Sequence, residues 1–163
     1  MIFHLTQKLA KKIKLHPLEA LETEQNPFID WTGHLFTVEH TQYMIITNSA
    51  SLYSMVMHGR GINDDNEFIK SALNFMREYM TNDDCEFIYR RLIEPYTAQI
   101  SFAKATNKGV LGSMNDLIFQ AKFFIGERRL SVFETSLEIN QTPMTYIDYK
   151  CPLEAFKELR VSD

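Results

Sequence analysis

The amino-acid sequence predicts an α+β fold in a single domain spanning residues 1–163, and three observations carry that expectation. Residues 35–40, 43–47 and 52–58 are consecutive strand-like runs joined by turn-sized links, the pattern of an antiparallel meander. Further short strand-like runs alternate with segments of helical periodicity. No repeat, low-complexity stretch or linker divides the chain, and its length suffices for one sizeable core. The expected architecture is the meander with additional short strands, packed against roughly four to six helices, one of them a central apolar helix.

Taken in order, residues 1–5 read as a short strand, and Thr6 can cap the helix that follows. Leu5, Leu9 and Ile13 form its apolar stripe. Lys8, Lys11, Lys12 and Lys14 fill the remainder, either as a solvated face or as phosphate contacts. His16-Pro17 ends the helix. An acidic loop with Glu19, Glu22 and Glu24 leads to Trp31, whose size suits a core anchor. In the meander, Tyr53, Met55 and Met57 share one face, and Leu52, Val56 and His58 the other.

Asn63 to Glu67 supply cap chemistry for a helix in which Phe68, Ile69, Ala72, Leu73, Met76, Tyr79 and Met80 follow helical spacing. The acid pairs Asp64-Asp65 and Asp83-Asp84 are read as helix starts rather than catalytic pairs. A second helix over residues 85–94 is expected to bury Phe87, Ile88, Leu92 and Ile93. Residues 99–105 read as a strand. A polar loop through Gly109 and Gly112 follows, then a helix capped by Ser113. Met114, Leu117, Ile118, Ala121 and Ile125 make one stripe of that helix, and Phe119 with Phe123 a second, which predicts a buried central helix. Leu130, Phe133 and Leu137 suit a helix, although β-branched Val132 and Ile139 leave a strand open; residues 144–150 read as a strand, and Pro152 opens the last helix.

The composition narrows the function. Hydrophobic residues are 45% and charged residues 23%, ordinary for a soluble globular protein. A net charge of −4 and a pI near 5.7 carry no whole-protein signature of nucleic-acid binding, which leaves room only for a local basic face. Cys85 and Cys151 lack C-x-x-C spacing and are read as reduced thiols rather than a disulfide or metal framework. No apolar run approaches the roughly 20 residues that span a bilayer. Gln7 and Lys8 interrupt the N-terminus too soon for a secretory signal, so a cytoplasmic protein without membrane contact is expected.

The densest group of chemically useful residues lies between 104 and 120: Lys104, Thr106, Lys108, Ser113, Asn115, Asp116 and Gln120. Lysines and glycines ahead of a helix N-terminus can hold anions. The spacing of Gly109 and Gly112 fits neither the Walker nor the dinucleotide pattern. Ser113 has no G-x-S-x-G context, and the five histidines form no metal motif. With no catalytic constellation, metal pattern or cofactor motif, the leading expectation is a non-enzymatic binding or accessory module. It would meet protein or nucleic acid through Lys8, Lys11, Lys12 and Lys14 together with Arg128 and Arg129. The alternative is a small enzyme acting on a phosphate-bearing or other anionic substrate at residues 106–116, with Lys104 and Lys108 neutralising charge and Asp116 as base or metal ligand. A homodimer through the open edge of the meander is a third reading.

Several short motifs also resemble a small family of unknown function found in bacteria, plasmids and prophages. They are His4-Leu-Thr6-Gln-Lys8-Leu9-Ala-Lys-Lys-Ile13, Trp31, Thr47-Asn48 with Tyr53, Gly112-Ser-Met-Asn-Asp116, and Asn140 with Pro143. The resemblance spans nearly the whole chain, implies no activity or cofactor, and singles out the 112–116 block.

Overall fold

The computed structural model describes residues 1–162. A five-stranded mixed sheet lies at its centre, built from β1 (Ile2–Leu5), β2 (Asp30–Val38), β3 (Thr41–Asn48), β4 (Ser54–His58) and β5 (Ser101–Lys104) in the order β4-β3-β2-β1-β5. The expected meander is β2-β3-β4, antiparallel throughout. Strand β1 is parallel to both its neighbours, pairing Ile2 with Asp30 and with Ser101. Flanked on both sides and buried along its whole length, β1 reads as the centre of a parallel sheet. β2 and β3 begin earlier than their periodicity predicts, and Trp31 and Gly33 both lie within β2, whereas β4 begins only at Ser54 because Leu52 has a positive φ that a strand does not hold.

Two cores occupy the two faces. Phe3, Leu5, Trp31, Met44, Ile46, Met55 and Met57 point to one. They meet α1 (Gln7–Lys12), α2 (Asp65–Asn82) and α6 (Pro152–Glu158). Gly33 lets α1 pack tightly there, because a Cβ at that position would lie 2.8 Å from Leu9 Cδ2 and 3.0 Å from Leu5 Cδ2. Phe36, Tyr43, Ile45 and Val56 point to the other face. There they meet α4 (Lys108–Gly126) and Ile139 of α5 (Val132–Ile139). Alternation along β4 divides Met55 and Met57 from Val56 as expected.

Local chemistry sets the helix ends. Asp64 caps α2, accepting from the Glu67 amide at 2.8 Å. Ser131 and Glu134 form a reciprocal capping box at α5. The expected helix over 85–94 becomes a short α3 (Glu86–Ile88), a π-turn over Tyr89–Ile93 and a 3-10 turn over Glu94–Tyr96. Phe87, expected inside, is 71% exposed. The expected strand over 144–150 is a 3-10 turn over Thr145–Ile147, followed by positive φ at Asp148 and Tyr149 that a strand cannot hold.

Side chains rather than another strand occupy the outer edge of β4. Asn140 accepts from the Ser54 amide at 2.8 Å and donates to its carbonyl at 2.7 Å. Ser136 accepts from the Val56 amide, and the Tyr79 hydroxyl donates to the Val56 carbonyl. Helices α5 and α2 thereby satisfy backbone groups that an edge strand leaves open.

Candidate functional site

The segment 104–120 folds differently from its sequence expectation. Helix α4 begins at Lys108, capped by Asn107, whose Oδ1 accepts from the Val110 amide at 3.1 Å. Gly109 and Gly112 are therefore helical, and Ser113 is not a cap. Its hydroxyl donates to the Gly109 carbonyl at 2.9 Å. Asp116 is exposed, and Gln120 accepts from the Thr142 hydroxyl at 2.9 Å. Lys104 ends β5 beside a small hollow that includes Gln7 and His16. Thr106 borders a different, smaller cavity, and Lys108 is exposed on the first turn of α4. These residues share no single cleft.

Gly112 faces open space, with no atom within 4 Å of an added Cβ. Replacing it by alanine removes the backbone-entropy penalty of a helical glycine at no steric cost. Gly112→Ala is expected to stabilise the protein by about 1 kcal/mol in urea denaturation, whereas destabilisation would contradict a helical residue 112. Gly109 is different, because a Cβ there would come within 2.7 Å of the Tyr146 ring.

The basic side chains do converge. Strand β1 stops at Leu5, opposite Gly33, where the Thr6 amide donates to the Gly33 carbonyl. Among the described residues, no strand pairs with β2 on this side beyond that point. Helix α1 lies on one face of the exposed edge and α4 on the other. The result is an open groove of about 850 Å³. Lys8, Lys11 and Lys12 line it from α1, Asn115 and Lys122 from α4, and His34 to Thr37 form its floor. No acidic residue lines it, and among the described residues these lysines form no salt bridge. Burial lowers the His34 pKa, and the charges of Lys8 and Lys122 lower it further. Its Nδ1 accepts from the Leu35 amide at 2.8 Å, so the neutral ring carries its proton on Nε2.

The remaining expected basic residues lie apart from the groove. Lys14 is exposed with a positive φ just beyond α1. Arg129 pairs with Glu39 at 2.7 Å, and the Arg128 guanidinium lies 6.0 Å from the Phe124 ring centroid. Periodicity placed Lys8, Lys11 and Lys12 on one helix but could not bring them to His34 and Lys122. The only sequence signal for Lys122 was its i+7 spacing from Asn115, which puts both on one face of α4.

A second polar feature is buried. His4 Nε2 lies 3.2 Å from Asp30 Oδ2, which also accepts from the Glu24 amide at 2.9 Å. Burial raises the Asp30 pKa, but hydrogen bonds from His4 and Glu24, with the nearby Ser49 hydroxyl, outweigh it and hold the carboxyl below its usual range. Ser49 favours the ionised form without completing a hydrogen bond to Oδ1, which is unpartnered. The adjoining cavity is about 40 Å³. Cys85 offers no nucleophile: burial, with Asp83 and Asp84, pushes its thiol up to about 11 against the opposing charge of Lys157.

A family model for DUF6933, a domain of unknown function, matches residues 2–155. The chain belongs to the DUF6933 family. No curated protein and no solved structure matches it. In this DUF6933 chain, most residues behind the sequence resemblance serve the scaffold. Trp31 donates to the Phe28 carbonyl at 2.9 Å, Thr47 bonds Ser54, and Tyr53 donates to Asp83 at 2.6 Å. Asn48 and Asn140 are buried, hydrogen-bonded struts. Two of the motifs reach the groove, the N-terminal one through Lys8, Lys11 and Lys12 and the 112–116 block through Asn115. No described helix is long and apolar enough to cross a membrane.

Proposed function

We propose that this DUF6933 domain is a non-enzymatic binding module that takes a nucleic-acid strand in the groove between α1 and α4. The supporting observation is the convergence of Lys8, Lys11, Lys12 and Lys122 in a groove that no acidic residue among those described lines, in a chain whose net charge is −4. Positive charge concentrated in one concavity against an acidic background focuses a field that attracts polyanions. Lysine ammonium groups at the rim can each neutralise a phosphate, and Asn115 and Thr37 offer hydrogen bonds between them. An enzyme acting at residues 106–116 has less support, because Lys104, Thr106 and Asp116 face different surroundings.

The test is anisotropy of a labelled single-stranded oligonucleotide titrated with the protein at rising salt. Four phosphate contacts predict a slope of about −0.7 × 4, or about −2.8, in log affinity against log salt. Affinity then falls about 50-fold between 50 and 200 mM salt. No binding at 50 mM salt, or binding only of an acidic peptide laid along the free β2 edge, would overturn the proposal.

A further inference from the structure

We infer that Phe119 and Phe123 form a base-stacking ridge beside the basic groove, which makes the domain selective for single-stranded over duplex nucleic acid; the inference rests on the proposed nucleic-acid reading of that groove. The second aromatic stripe of α4 was expected inside the protein. The structure instead leaves Phe119 77% and Phe123 50% exposed. At helical pitch Phe119 falls between Asn115 and Lys122, the two α4 residues that line the groove, at i+4 and i+7 from Asn115. Phe119 is not itself a lining residue, but this spacing puts it on the face of α4 next to the groove lining, one turn from Lys122.

The ridge continues from there. Phe123 meets Phe124 edge-on at 5.8 Å, and the Arg128 guanidinium lies 6.0 Å from the Phe124 centroid. Toward the start of the helix, the same face carries Gly112, where nothing lies within 4 Å of an added Cβ, so a strand can approach the helix backbone closely. Other exposed aromatics lack this setting. Phe87, for example, has only Arg91 over its ring, at 5.9 Å.

Aromatic faces interleaved with lysines match a single strand, whose unpaired bases can leave their own stack and lie on a ring while the phosphates follow the charge. In a duplex the base faces are covered by their neighbours, so only the phosphates remain to be bound. The lysines thus bind either form, and the phenylalanines discriminate between them.

The experiment compares a single strand and the matched duplex for the wild type, Phe119→Ala, Phe123→Ala and Phe119→Trp. Each alanine variant is expected to weaken single-strand binding about tenfold, to leave duplex binding unchanged and to keep the salt slope. The tryptophan of Phe119→Trp is expected to be quenched on adding the single strand, against a background in which Trp31 is fully buried. Because both phenylalanines are exposed, unchanged circular dichroism is expected for all three variants. Equal, salt-dependent binding of both forms, indifferent to the phenylalanines, would overturn the ridge and leave the groove standing. Absence of binding to either form would overturn both.

Discussion

Replacing Asn48 by alanine is expected to destabilise the fold by roughly 3–5 kcal/mol, read as a lower urea midpoint with an unchanged m-value. Asn48 is fully buried and makes five side-chain hydrogen bonds. Its amide donates to the Pro27 carbonyl at 2.8 Å and the Asp30 carbonyl at 3.3 Å. Its oxygen accepts from the Ala50 amide and from the amide and hydroxyl of Ser51. It thereby ties the entry of β2 to the turn that leads from β3 to β4. Alanine strands these partners, and each buried group left unsatisfied costs about 1–3 kcal/mol. Ala50 is exposed, so its amide recovers water and the total stays below the sum of five. A domain of this kind has only about 5–15 kcal/mol to lose, so the variant is expected to be partly unfolded at physiological temperature. A loss below 1 kcal/mol would show that the network is not the strut it appears in its geometry.

The second large effect is on binding. Replacing Lys8, Lys11, Lys12 and Lys122 together by alanine is expected to weaken oligonucleotide binding at 50 mM salt by at least about a hundredfold and to bring the salt slope close to zero. Among the described residues the four side chains have no acidic partner, and they line an open groove, so their removal leaves no buried partner unsatisfied. Folding stability is expected to hold. The same variant provides an internal check: Lys8 and Lys122 help to lower the His34 pKa, so their loss moves it back up toward its ordinary value of 6.5, measurable by NMR titration. Lys14→Ala, outside the groove, is the control and is expected to change affinity by no more than one phosphate contact's share.

Much of the fold was legible because local signals and tertiary packing agree. The acids at Asp64 to Glu67 start α2, and alternation along residues 52–58 divides the two cores. The parallel pairing of β1 was not legible, because β1 and β5 are brought together from residues 2 and 101. Gly109 and Gly112 marked a loop on propensity alone, yet Val110 and Met114 are fully buried and draw that segment into the helix. Tyr146 and Tyr149 suggested a strand, where Tyr146 in fact packs against the glycine surface of α4.

The site divides the same way. The lysines of α1 were legible as a group, and Asn115 stood out in its block. His34 joins them only because β1 ends at Leu5 and leaves the rest of β2 bare. Phe119 and Phe123 were visible as a stripe, but their helical spacing does not say which side of α4 faces out. That follows from the second core, which takes Met114, Leu117, Ile118 and Ala121.

The groove is tested most directly by amide chemical-shift mapping of the labelled domain during titration with a single-stranded oligonucleotide at low salt. The predicted result is a contiguous set of shifts over Lys8 to Lys12, His34 to Thr37, Asn115, Phe119 and Lys122, with the opposite face of the molecule unmoved. Shifts centred on residues 104–108, or no shifts at all, would contradict it.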